Sequence, residues 1–341
     1  MKHNRKHKST SFVGATQCMS STSRPPIQHL RSQVTDLCTM TWRWLSFSHV
    51  WIGLGAFTTT MLSGLWSSPE SWWRPEGWMF AWWVGATTGV GYSVQRAIKH
   101  AQHPRHMPSA RRRFWDEHNT RMLVTWGALW VAVTACFYDE LHWHRSERQL
   151  TMAFLGLVSL AYSVVPGFVG GLRRVAWLKV PIIAGVWATA TTLHPGVAFE
   201  PWLWAQRFVF IASLTLPFDI RDLAVDRSHI HTVASIKSPV WVLRIARLGM
   251  LVSAAMCMFT LILGAANGAG FAAGPAMCLA QSFWGWSLLR HSKALTALTS
   301  CDDDTKEKYA GWTLDGVLVA PLFLLAIWWF VTTIRPFVGK M

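Results

Sequence analysis

The chain has 341 residues, of which 51% are hydrophobic and only 14% charged, and its net charge is +15. That length suits one large domain or two ordinary ones, but so low a charged fraction excludes an ordinary soluble domain. The basic residues lie mainly between apolar runs, so the excess charge points to anionic lipid headgroups and membrane topology and not to nucleic acid.

Residues 1–42 are rich in Lys, Arg, His, Ser and Thr, and Asp36 is the only acid among them. They are expected to form a disordered basic cytoplasmic arm. No short apolar core with a cleavage site is present, so a secretory signal peptide is not indicated.

From there the chain reads as one transmembrane domain over 43–341. Apolar spans fall near 44–66, 77–95, 121–138, 150–168, 176–194, 201–218, 240–264, 268–289 and 312–334. Each is near the length that crosses a bilayer, and a spanning segment of this kind must be helical because lipid satisfies no backbone hydrogen bonds. The expectation is an all-α, polytopic membrane bundle of about nine helices. The 23 tryptophans fit belts at the two interfaces. Small residues four apart, as at Gly85 and Gly89, suit close helix contacts.

Loop charge predicts the orientation. The arm through Arg43 carries seven basic residues against Asp36. The 96–121 loop is strongly basic, and 169–179 holds Arg173, Arg174 and Lys179 with no acid. The intervening loops at 67–76 and 139–148 are acidic or balanced. The alternation puts the N-terminus in the cytoplasm, with a bacterial inner membrane as the expected location.

The informative stretch is LPFDIRDLAVDRSHIHTV, residues 216–233. Asp219, Asp222 and Asp226 lie at i, i+3 and i+7, one face of a helix. Three carboxylates there suit Mg²⁺, which takes one or two of them and completes its shell with water and phosphate. A solvated charged turn, neutralised by Arg221 and Arg227, is the competing reading. Two basic segments share the predicted membrane side: 96–113, and Tyr162 to Lys179, YSVVPGFVGGLRRVAWLK. Carboxylates for Mg²⁺ beside Arg and Lys for phosphate oxygens suit a diphosphate. A lipid chain on that diphosphate explains a site at the mouth of a helical bundle.

Asp219-Ile220-Arg221-Asp222-Leu223-Ala224-Val225-Asp226-Arg227 resembles the second aspartate-rich motif of the UbiA superfamily of membrane prenyltransferases. Asp222 and Asp226 match its DxxxD pair, and Arg221 the basic residue before it. Tyr162, Arg173 and Lys179 are similar to that family's tyrosine-then-basic loop. The resemblance implies transfer of an isoprenoid chain from a prenyl diphosphate to a hydrophobic acceptor, aromatic or lipid. It implies Mg²⁺ at Asp219, Asp222 and Asp226, with catalysis centred on Asp222 and Asp226. Arg221, Tyr162, Arg173, Lys179 and Arg96 would bind the diphosphate.

The family's first aspartate-rich motif is missing. Residues 77–113 contain no Asp or Glu, and Ser93, Gln95 and Arg96 stand where acids would be expected. Two consequences are open. Arg96 and Lys99 contact the diphosphate directly, as fixed cations in place of metal; or catalysis is lost and a non-catalytic prenyl-lipid-binding relative remains.

Other clusters are read against simpler alternatives. His142/His144 and His229/His231 are expected to be solvated or interfacial. Asp315, at the start of the last span, is a functional candidate by its depth. Asp302, Asp303 and Asp304, beside Lys306, Glu307 and Lys308, are expected to be a solvated or helix-starting face. The six cysteines are scattered, with no CxxC pair, and indicate neither zinc nor a disulfide framework.

Overall fold

The computed structural model describes residues 26–68, 75–102, 109–139, 146–163, 177–194, 198–226, 233–267, 272–290, 292–300 and 302–327. Among them there are helices and connecting turns but no strand. Two compact units are distinguished, residues 1–41 and 42–341.

In the first unit, the expected disorder at 1–25 lies outside the described residues. From Pro26 the expectation of a disordered arm is corrected, because helix α1 (Pro26–Phe47) begins there. Proline at the first helical position starts it with φ already set, and helix formers such as Gln, Leu, Arg and Met follow.

The second unit begins with the last residues of α1, from Trp42, and then a break. Ser48 and His49 separate α1 from α2 (Val50–Ser67), and His49 sits in the left-handed region at φ 65°. For a residue with a side chain that conformation is unfavourable and must be held by its surroundings. The His49 ring is buried, its Nδ1 is 3.0 Å from Ser93 Oγ, and it packs against Trp115.

Helix α2 is the axial element. It is buried from Ile52 to Trp66 nearly without interruption, as an uncharged helix that is apolar all round should be. Its Thr58, Thr59, Thr60 and Ser63 hydroxyls donate to carbonyls one turn back, so their burial leaves no donor unmet. Around it stand α3 (Pro75–Gln102), α6 (Lys179–Thr192), α10 (Ala273–Arg290) and the C-terminal helix, Asp303–Ile327. An outer set comprises α4 (Ser109–Cys136) and α5 (Ser146–Ser163), with α7 (Pro201–Asp226) packed between α6 and α9 (Pro239–Ala266). Short α8 (Val233–Ile236) and α11 (Ser292–Thr299) connect the longer helices.

Gly85 and Gly89 make the close contacts expected of them. A Cβ on Gly85 would stand 2.9 Å from the Gly53 carbonyl oxygen, and one on Gly89 would overlap the Trp126 ring. The outward faces of α4, α5 and α9 are apolar and exposed: Val131, Leu150, Phe154, Leu157, Phe259 and Ile262 are each more than half accessible. Continuous apolar faces of this kind need lipid against them. Pro239–Ala266 and Asp303–Ile327, with mean hydropathies of 2.1 and 1.8, are each long and apolar enough to cross a membrane.

The helices overrun the apolar spans at one end of the bundle, which corrects the expected 96–121 loop. Helix α3 continues to Gln102 and α4 starts at Ser109, so the basic residues stand mostly on helices and their facing is fixed by helix phase. Likewise α7 carries all three aspartate positions on its last two turns. Pro217 lies just before them and supplies no N–H to the Ser213 carbonyl.

Candidate functional site

A cavity of about 610 Å³ opens between α2, α3, α4, α5, α6, α7 and the C-terminal helix. Its deep part is apolar and aromatic, walled by Trp83, Val84, Trp130, Trp187, Ile211 and Leu214. Its mouth carries Arg96 and Lys99 from α3, Arg111 from α4, Tyr162 from α5, Lys179 from α6, and Arg221 and Asp222 from α7. From Val84 to Arg96 along α3 is about 18 Å at the helical rise. The cavity is therefore a long apolar pocket capped by ionic groups.

Asp222 faces this mouth with its side chain 31% exposed. It accepts two hydrogen bonds from the adjacent guanidinium, Arg221 Nε to Oδ1 at 2.7 Å and Nη2 to Oδ2 at 3.1 Å. That fork holds Asp222 ionised and in one orientation. Arg221 lies over the Phe218 ring, 4.9 Å from its centroid.

Asp219 behaves differently. It is fully buried and takes an ion pair from Lys179 Nζ at 2.5 Å. Its other oxygen, Oδ2, meets no donor among the described residues. It does not stand on the cavity wall; it sits behind Lys179, which does. Asp219, expected as a metal ligand, is in this structure the buried partner of Lys179. Asp226 ends α7, but its side chain lies outside the described residues, as do Arg173 and both histidine pairs.

Two residues at the mouth were not singled out by the sequence. Arg111 is buried, lies over the Phe47 ring and donates to Glu307 Oε2 in a close ion pair. Glu307 Oε1 is also 3.9 Å from Arg221 Nη1. The expectation of a solvated face over 302–308 is corrected for Glu307, which is 5% exposed. It holds for Asp302, which caps the C-terminal helix by accepting from the Asp304 and Thr305 amides. A bond from the Thr305 hydroxyl, and then those two, hold its carboxyl below the usual carboxylate range. A π-helical segment, Lys308–Leu314, follows Glu307 and delivers Asp315 to the cavity wall. Such segments re-aim the residues around them.

The donor set for a divalent metal is one-sided. On α3, Ser93 is turned to His49 and Gln95 donates to the Ser159 carbonyl at 3.1 Å, while Arg96 faces the mouth. Among the described residues no carboxylate of α3 or α4 lines the cavity on that side. On α7, Asp222 and the backbone position of Asp226, one turn later, share a face. Among the described residues no group of three metal-ligating side chains gathers.

No protein-family model matches the sequence, nor does any curated protein. Two solved structures match the fold. One is a UbiA homolog from Archaeoglobus fulgidus bound to GPP and Mg²⁺, superposing over 82% of this chain and 98% of its own at 11% identity, with a TM-score of 0.53. The other is the apo UbiA homolog from Aeropyrum pernix K1, covering 80% and 97% at 12% identity, with a TM-score of 0.54. The fold is that of the UbiA superfamily. The nine longer helices from α2 onward among the described residues correspond in position to the nine apolar spans, and the UbiA bundle is a helical membrane fold.

Proposed function

We propose that the chain is an integral-membrane, multi-pass prenyltransferase that moves an isoprenoid chain from a prenyl diphosphate to an aromatic or lipid acceptor. The observation that carries this reading is the division of one cavity into an apolar aromatic depth and a cationic mouth beside Asp222. The homolog bound to GPP and Mg²⁺ supports it. The alternation of basic and acidic loops favours a cytoplasmic mouth and N-terminus, and a bacterial inner membrane is the location we assign.

In this reading Arg221, Lys179, Arg96 and Tyr162 hold the phosphate oxygens, with Arg173 joining them from the basic loop. They stabilise the negative charge that develops on the diphosphate as the allylic C–O bond breaks. Trp83, Trp130 and Trp187 line the cavity, and aromatic rings attract a cationic carbon. The apolar wall keeps water from capturing that carbon. The acceptor forms the new bond and loses a proton; among the described residues the carboxylates on the cavity wall are Asp222 and Asp315. One Mg²⁺ at Asp222 and Asp226 would add further neutralisation of the leaving diphosphate.

The test is turnover of purified protein in nanodiscs with a panel of prenyl diphosphates and acceptors. Product formation that vanishes in Asp222→Asn supports the transferase. The lack of any Asp or Glu in residues 77–113 favours a second reading, a non-catalytic binder of prenyl lipids or diphosphates. Binding without turnover across the panel would select it.

A further inference from the structure

Arg96 is the unusual residue of the mouth. Lys179 is matched by Asp219, Arg221 by Asp222, and Arg111 by Glu307. No hydrogen bond or ion pair ties Arg96 to a carboxylate among the described residues, yet its guanidinium lines the cavity. The carboxylates whose field reaches this half-buried guanidinium, Glu307 and Asp222, are already bonded to Arg111 and Arg221, so its own hydrogen-bonding capacity is left for an anion that enters the cavity. Its surroundings add to the positive charge. Lys99 is one turn further along the same helix face, and Arg111 comes from the first turn of α4. Cations at a helix N-terminus oppose the helix dipole, and that first turn contains no acid to offset them. Three helix-borne cations converging on one side of a cavity form a built anion site, and guanidinium forks match phosphate oxygens.

The same side is where the UbiA resemblance would put acids for a metal. Here Ser93 and Gln95 are occupied elsewhere, by His49 and by the Ser159 carbonyl. We infer that Arg96, with Lys99 and Arg111, takes the place of a metal ion on the α3 side, so that the diphosphate head is held there by direct contact with fixed cations. This rests on the prenyl-diphosphate reading and deepens it. It follows that head-group binding does not require a divalent metal. A single ion at Asp222 and Asp226 strengthens binding without being necessary for it.

The experiment is equilibrium binding of geranylgeranyl diphosphate and of inorganic diphosphate to the full chain in nanodiscs, in EDTA and in Mg²⁺. Binding is expected to persist in EDTA, weakened by less than about tenfold, and Arg96→Gln is expected to weaken it by about tenfold or more in both conditions. That factor corresponds to one charge-assisted hydrogen bond. Arg96→Lys keeps the charge and should recover part of the loss, which separates an ionic contact from damage to the fold. Binding seen only with Mg²⁺ and indifferent to Arg96→Gln would overturn the inference and leave the proposed function standing. Binding of neither probe in either condition would overturn both.

Discussion

Glu307 reaches across the bundle to Arg111, 196 positions earlier in the chain. The pair joins the C-terminal helix to α4 at the cavity mouth, and Arg221 of α7 stands on the other carboxylate oxygen. With side chains only 8% and 7% exposed, Arg111 and Glu307 are screened little by water. Glu307→Gln should therefore leave two guanidiniums under-compensated and cost about 3 kcal/mol of stability. Thermal unfolding in detergent reads this directly; an unchanged midpoint would show that the pair is not stabilising.

Asp219 and Asp222 should separate by phenotype although they lie one turn apart. Asp219→Asn strips Lys179 of its buried partner and is expected to lower stability by about 3 kcal/mol, while the folded fraction keeps its turnover. Asp222→Asn should do the reverse, reducing turnover about a hundredfold or more with a small change in unfolding midpoint. Equal loss of turnover in both variants would restore Asp219 to the reacting site.

Ala190 lies on α6 in the deep part of the cavity, well above Lys179. Ala190→Trp fills the end of the pocket and leaves the mouth unaltered. The ratio of turnover with geranylgeranyl diphosphate to that with geranyl diphosphate is expected to fall by about tenfold or more. An unchanged ratio would place the end of the chain elsewhere.

Asp315 stands on the cavity wall, and no side-chain hydrogen bond or ion pair holds its carboxyl among the described residues. If it takes the acceptor's proton, Asp315→Asn lowers turnover by about a hundredfold and leaves binding of inorganic diphosphate intact. Loss of both would assign it to the head-group site.

The parts of this site that were legible in the sequence are those carried by spacing on one helix. The i, i+3, i+7 placement of Asp219, Asp222 and Asp226 survives as three positions on the end of α7, and the UbiA fold was readable from nine apolar spans and one motif. Where each side chain points was not legible. Asp219 and Asp222 differ by about 60° around the helix, enough to send one to Lys179 and the other to the cavity. Arg111 is one of three consecutive arginines, and only the phase of α4 buries it while Arg113 remains exposed. Glu307 was hidden among six charged residues in the seven from Asp302 to Lys308, where burial is decided by the start of a helix and a π turn that composition does not mark. His49 left no sequence signal, because its left-handed backbone is held by Ser93 and Trp115 from distant segments.

The Arg111–Glu307 tie also sets an order of events during biogenesis. Helices α3, α4 and α7 are synthesised with Arg96, Arg111 and Arg221 already in place, and the carboxylate that offsets two of these arrives on the last helix. Until that helix inserts, Arg111 lacks the carboxylate that it is bonded to in the finished bundle, whereas Arg221 already has Asp222 and Lys179 has Asp219. A chain stopped before residue 303 should therefore hold its mouth less firmly than one that carries the Asp303–Ile327 helix.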